Sequence, residues 1–233
     1  MARITRNYLK TDKFALEVEH TVTFFDEHRQ ELMRYGAIAL AVVLLVIGYS
    51  VYAGHQHTAR QEALTKALQV QQAPVGPPAT PGALSFPTQQ AKDQEVMKQF
   101  SGVASKYPGS TEGEIAQYFL GTILADQGRL AEAEKRFHDV ASQGGAQYSS
   151  LAKLSLAQIY FSDGRGQEGE KVLRDLMDHP TAFVSKAQAT VTLARYLMNS
   201  KPQDARNLLK PLSQQPDETG RVALDLLGQI PGQ

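Results

Sequence analysis

The sequence predicts an all-α chain, an N-terminal transmembrane helix followed by an α-solenoid of repeated helix pairs. Two observations carry the prediction: an uncharged apolar run from Tyr35 to Tyr52, and a spaced set of apolar and small residues that recurs every 36 positions. Composition sets the limits. The 233 residues hold 24 basic and 24 acidic side chains, so no net charge draws the chain toward nucleic acid. Cysteine is absent, which excludes a disulfide framework, a thiolate nucleophile and Cys-based zinc or redox motifs.

Residues 1–34 read as a cytoplasmic tail. Within it Phe14, Val18, Val22, Phe25 and Leu32 fall at helical spacing and form one apolar stripe, suited to the membrane surface or to a partner helix. The opposite face is not rich enough in Lys and Arg to favour the membrane over the partner.

Residues 35–53 read as a transmembrane helix. The 18 residues from Tyr35 to Tyr52 span roughly 27 Å at about 1.5 Å per residue, against a hydrocarbon core of about 30 Å. Nine Leu, Ile and Val residues contribute an insertion free energy on the order of −3 to −5 kcal/mol. Tyr35, Tyr49 and Tyr52 lie near the ends, where amphipathic rings favour the headgroup layer. A cleaved secretory signal is disfavoured, because the apolar run is longer than a signal core and 34 residues precede it. Arg29 and Arg34 on one side are matched by Arg60 and Lys66 on the other; the whole tail, with Arg3, Arg6, Lys10 and Lys13, tips the N-terminus toward the cytoplasm.

Residues 54–72 continue the helix as an extension of the span. In residues 73–88, Pro74, Pro77, Pro78, Pro81 and Pro87 remove amide donors and forbid a helix interior, so a mobile loop is expected. Residues 89–233 read as a repeat domain with a C-terminal capping helix.

The repeat is read from the spacing. Leu120, Gly121, Leu124, Gly128, Ala133, Phe137 and Val140 recur as Leu156, Ala157, Tyr160, Gly164, Gly169, Leu173 and Leu176. A third copy, one residue shorter in its turn, holds Leu193, Ala194, Leu197, Ala205, Leu209 and Leu212. Each unit is a helix, a short turn and a second helix, with small residues where the backbones approach. Gly164, Gly166 and Gly169 also match G-x-G-x-x-G, but the preceding segment has helical period and Val184 stands where an acidic ribose ligand is sought. These glycines are therefore expected to serve turn and packing. Because Ala133 and Ala205 occupy the position of Gly169 in the other copies, an Ala there is expected to cost little.

The spaced set resembles the tetratricopeptide repeat over roughly Gln89 to Gln215, most closely in "KYPGSTEGEIAQYFLGTILADQGRLAEAEKRF"; Gln117, Lys153 and Thr190 replace the leading Trp. The layout is also similar to that of ancillary subunits of the bacterial SecYEG translocon. "FFDEHRQELMRYGAIALAVVLLVIGYSVY" and "HTARQEALTKAL" carry that similarity. The resemblance implies a single-pass inner-membrane protein with a periplasmic repeat domain. Implied partners are translocon subunits, a periplasmic folding factor or emerging client chains, with homo-oligomers possible. In tetratricopeptide repeats the first helix of each unit lines the concave surface. The register then implies a protein-binding face of Tyr118, Thr122, Leu154, Gln158, Phe161, Val191, Arg195 and Met198, with Tyr118 and Phe161 as anchors.

No cofactor, metal or catalytic site is expected. His55 and His57 point about 200° apart on a helix and cannot chelate one ion, and no Ser or Asp is tied to a His by spacing. In the span, Ala37, Ala41, Leu44 and Gly48 share one face where a membrane partner helix would pack.

Overall fold

The structure, a computed structural model, describes residues 29–78, 80, 82–143 and 145–230. Among them are nine α-helices and no strand: α1 Arg29–Gln72, α2 Gln89–Lys106, α3 Thr111–Asp126, α4 Leu130–Gln143, α5 Ala146–Ser162, α6 Gly166–Asp178, α7 Lys186–Ser200, α8 Pro202–Leu212 and α9 Glu218–Gln229. The all-α reading holds. The tail stripe at Phe14, Val18, Val22 and Phe25 lies outside the described residues. The chain divides into two compact units, Met1–Thr58 and Ala59–Gln233.

In the first unit, α1 carries the apolar run with its side chains uncovered. Leu40 is 62 %, Leu45 73 % and Tyr49 74 % exposed.

The second unit begins with a helix pair whose start is hidden in the sequence. Leu64, Ala67 and Val70 of α1 are buried against Val96, Phe100 and Val103 of α2. The second compact unit thus begins at Ala59, ahead of the repeat pattern read from residue 89, because the last turns of α1 share a buried cluster with α2. The proline segment connects the two helices of that pair. Gly76 N–H donates to the Phe86 carbonyl at 2.8 Å and Phe86 N–H to the Pro74 carbonyl at 3.0 Å, closing its neck. Phe86 then packs on the first core cluster. The prolines forbid a helix, as expected, and these two hydrogen bonds draw the ends of the segment together.

Three pairs follow, α3 with α4, α5 with α6 and α7 with α8, and α9 closes the row by burying Ala223 and Leu226. The turns after α3 and α5 are the same device. Gly128 at φ +74° and Gly164 at φ +76° take the left-handed conformation that glycine adopts without steric cost. Arg129 N–H then reaches the Leu124 carbonyl at 2.9 Å, and Arg165 N–H the Tyr160 carbonyl at 2.7 Å. These are Schellman closures, which satisfy the last helix carbonyls. The turn after α7 is Lys201 alone, followed by Pro202 at the first helical position. The G-x-G-x-x-G match is thus one Schellman glycine plus two residues of α6, with a helix rather than a strand leading in.

Inside the pairs, glycine and ring exchange sides. At Gly121 of α3 a Cβ would stand 2.7 Å from the Phe137 ring of α4. In the next pair the ring is Phe161 on α5 and the glycine is Gly169 on α6, where a Cβ would stand 2.7 Å from the ring and 3.1 Å from the Ala157 carbonyl. An Ala at Gly169 is therefore not innocuous, contrary to the expectation from the other copies. Those copies have no ring at the position of Phe161: Ala125 and Met198 stand there.

Between pairs a periodic polar contact adds to the apolar core that runs across them. Glu134 of α4 accepts from both terminal nitrogens of Arg165, at 2.9 and 2.6 Å. At the same register one repeat later, Glu170 of α6 accepts from Lys201 at 2.9 Å. Hydrogen bonds from Arg165 hold the Glu134 carboxyl below its ordinary value, against the opposing effect of burial. Lys201, with Arg174, does the same for Glu170.

Two outcomes are expected. Gly169→Ala gains helix propensity but overpacks the Phe161 ring, for a net loss of up to about 2 kcal/mol. Thermal melting checks it: Phe161→Leu in the same chain should recover the loss, and an unchanged or raised melting temperature for Gly169→Ala alone refutes the fit. The second concerns pH. A depressed folded-state pKa stabilises above the unfolded value of about 4.3 and is lost as pH falls through the folded value. Glu134→Gln should cost about 0.5–1 kcal/mol at pH 7 for this part-exposed pair, and the difference from the parent should vanish in acid. A gap that persists at pH 2–3 points to packing instead.

Candidate protein-binding face

The first helices of the pairs, α3, α5 and α7, present two successive clefts near the turns that follow them. The first, of about 260 Å³, is lined by Thr122, Ala125, Asp126 and Leu130 on one side and Ser155, Gln158 and Ser162 on the other. The second, of about 490 Å³, lies one repeat on and is lined by Phe161, Gly164, Arg165, Tyr196, Ser200 and Lys201 among others. Their relation follows from the repeat: Ala125 and Phe161 hold equivalent positions, as do Gln158 and Arg195.

The structure brings some of the expected residues together. Thr122 and Gln158 share the first cleft, with Gln158 exposed and Thr122 donating its hydroxyl to the Phe119 carbonyl of its own helix at 2.8 Å. Phe161 lines the second. It is half-buried and lies flat on Tyr196, ring centroids 3.9 Å apart and planes 8° apart. Gly166 and Gly169 leave the room beneath the ring. Arg195 is exposed beside this pair, and Val191 is half-buried against the core.

Other expected residues are placed elsewhere. Leu154 and Met198 are each only 9 % exposed and belong to the core cluster of Ala157, Leu193 and Leu197. They hold adjacent repeats together and offer little surface. Tyr118 is half-buried among rings, 5.7 Å from Phe137 and 5.8 Å from Tyr148. In the first unit Ala37, Ala41, Leu44 and Gly48 are all exposed along α1, and a Cβ at Gly48 would meet open space.

Tyr196 is the residue that spacing misses. Each repeat alone offers one ring or none at this place, and the stack forms only because α5 and α7 come side by side. The signal was a second aromatic one residue beyond Arg195, the position already assigned to the face. Its hydroxyl is held above its ordinary pKa by burial, against the field of Arg195, so the stacked pair stays neutral and apolar up to high pH.

The positions that carry Trp in ordinary repeats are polar, and each is hydrogen-bonded to a residue of its own pair. Gln117 accepts from Arg136 at 2.9 Å and Lys153 donates to Asp175 at 2.7 Å, each linking the two helices of one pair. The buried Thr190 donates to the Lys186 carbonyl at 2.7 Å.

A family model described as tetratricopeptide repeat-like domain matches residues 24–219. No curated protein and no solved structure matches the chain. The family match runs from before the apolar run of α1 through the last helix pair, and the chain belongs to the tetratricopeptide repeat-like family.

Proposed function

We propose that this chain is a single-pass protein of the bacterial inner membrane, N-terminus in the cytoplasm, whose repeat unit grips protein segments on the periplasmic side beside the translocon. The observation that carries the anchor is α1. Its most apolar window has a mean hydropathy of 2.2 and no buried share. Nine exposed Leu, Ile and Val side chains have no place in water, whereas a bilayer core accepts them. The family match begins ahead of this run and continues into the repeats, which favours an anchor retained with the domain over a leader that is removed.

The repeat unit supports a binding role. Tetratricopeptide repeat-like domains mediate protein–protein contacts, and the Phe161–Tyr196 stack, open to the second cleft, has the character of an interface anchor. Confinement to the membrane plane would raise the local concentration of this face near an exit site. By the resemblance of the tail and span, that site is the translocon and the partner a periplasmic folding factor or an emerging chain. A cell-envelope scaffold with no link to secretion is the second reading, favoured if capture needs the repeats but no translocon subunit follows.

Topology is checked by single cysteines in a chain that has none of its own. In spheroplasts an impermeant maleimide is expected to label Ser142→Cys and to spare Thr11→Cys; the reverse pattern inverts the orientation. For the face, Tyr196→Ala is the cleaner variant, since Tyr196 is 36 % exposed. Partner capture from detergent extracts should fall roughly thirtyfold, as for loss of about 2 kcal/mol, at a nearly unchanged melting temperature. Capture at the parent level removes the second cleft from the interface.

A further inference from the structure

The last helix is built as the first helix of a pair. Residues 218–230 read ETGRVALDLLGQI against TEGEIAQYFLGTI at residues 111–123, so that Gly113, Ala116, Leu120, Gly121 and Ile123 recur as Gly220, Ala223, Leu227, Gly228 and Ile230. The structure makes the two helices equivalent. At the start of α3 the Ser110 hydroxyl accepts from Gly113 N–H at 3.1 Å, and at the start of α9 the Asp217 carboxylate accepts from Gly220 N–H at 3.1 Å. Each of these glycines lies against a carbonyl of the turn before its helix, that of Tyr107 or of Gln215, too close for a Cβ to fit. Ala116 and Ala223 are both fully buried.

The likeness ends on the other side. There α4 covers α3: Gly121 receives the Phe137 ring, and Gln117 accepts from Arg136 at 2.9 Å. On α9 the equivalent of Gln117 is Leu224, which is 58 % exposed, and a Cβ at Gly228 would meet no described atom within 4 Å. The half-buried Leu227 borders both. Glycine weakens a helix relative to alanine. Gly228 does not turn the chain either, because its φ is not positive. Within one copy of the chain it therefore serves neither of the two uses that glycine has in the earlier pairs.

Leu224 and Gly228 are four residues apart and share one stripe, about one helical turn from each other. A projecting side chain and a gap on the same stripe are complementary to themselves. When two such helices run antiparallel about a twofold axis between these residues, each leucine stands over the glycine of the other copy. The chain already closes its pairs in this way, with Phe137 over Gly121 and Phe161 over Gly169. Charges beside the stripe are engaged within the helix: Arg221 bonds Glu218 at 2.7 Å, and Asp225 accepts from Gln229 at 2.8 Å.

We propose that the Leu224–Gly228 face of α9 is a self-association site, and that its occupant is α9 of a second copy of this chain in antiparallel orientation. The face is small beside the roughly 800 Å² per partner of a stable interface, so the pairing is weak and reversible. Its contacts are apolar, so it should be insensitive to salt. It shares no residue with the Phe161–Tyr196 cleft.

The test follows the full chain in detergent by sedimentation over a range of concentrations. The parent should pass from monomer to dimer, equally at low and high salt. Gly228→Leu fills the gap and Leu224→Ala removes the projection; each should raise the concentration of half-dimerisation at least about tenfold. Both positions are exposed in the single chain, so the melting temperature of its monomer should hold. Single-cysteine chains give the register. Leu224→Cys mixed with Gly228→Cys should form a disulfide-linked dimer on oxidation, whereas Gln229→Cys, about 140° around the helix from Leu224, should not link to either. A chain that is monomeric throughout, or equal dimerisation of parent and Gly228→Leu, overturns the self-association. Dimers that yield no Leu224→Cys to Gly228→Cys product overturn the antiparallel register. A monomeric chain that binds a labelled peptide of residues 130–143, and loses it in Gly228→Leu, assigns the face to a helix of another protein and overturns the second copy. Tyr196→Ala should dimerise as the parent does; a matching loss there moves the contact to the cleft and overturns the proposal.

Discussion

Close approach of paired helices is the constraint on which the repeat unit depends, and it is met with very small side chains. Ala116, Ala133, Ala152, Ala157, Ala189, Ala194, Ala205 and Ala223 are all fully buried. A buried methyl excludes little water by itself; its worth is that it lets two backbones come near enough for the larger side chains around it to interlock. Where a ring enters, the opposite helix gives up even the methyl, as Gly121 does for Phe137 and Gly169 for Phe161. The exchange of sides between successive pairs has a surface result. Phe137 points inward and is 1 % exposed, whereas Phe161, fixed over its glycine, is left half-open to meet Tyr196.

Polar contacts repeat with the same register and define the stacking of one pair on the next. The Glu134–Arg165 and Glu170–Lys201 bonds each join the second helix of one pair to the turn of the following pair. Arg165 also lies over the Tyr160 ring, 4.3 Å from its centroid, and the Tyr160 hydroxyl is 3.1 Å from His138 Nε2. One basic side chain thus ties three elements. These pairs are part-exposed and individually weak, but they are directional, which apolar burial is not.

Much of this architecture is legible in the sequence because it is periodic. The helix pairs, the glycine turns and the shortened third turn all follow from spacing, and so does the failure of the dinucleotide motif, whose context is helical. What spacing cannot convey is contact across repeats. Leu154 and Met198 share the register of surface positions, yet neighbouring helices cover them. Tyr196 becomes half of a stack only when α7 is laid beside α5. The first pair was obscured for a different reason: its leading helix is the end of α1, continuous with the apolar run, and the proline segment separates it from its mate by more residues than any later turn. That segment looks unstructured by composition because proline removes local hydrogen bonds; the two that close its neck join residues about ten apart.

Each helix of the second unit packs chiefly on the helices next to it in sequence, and the three core clusters follow one another along the chain. Such a topology has low contact order, so little loop entropy must be lost before a contact forms. It also sets a direction. A chain that arrives end first, from a ribosome or a pore, can complete one helix pair while the next is still extended, with each finished pair serving as the template for its successor. Among the described residues the helices of this unit pack on their near neighbours in sequence, so partial chains meet the solvent with one unfinished layer rather than an open core.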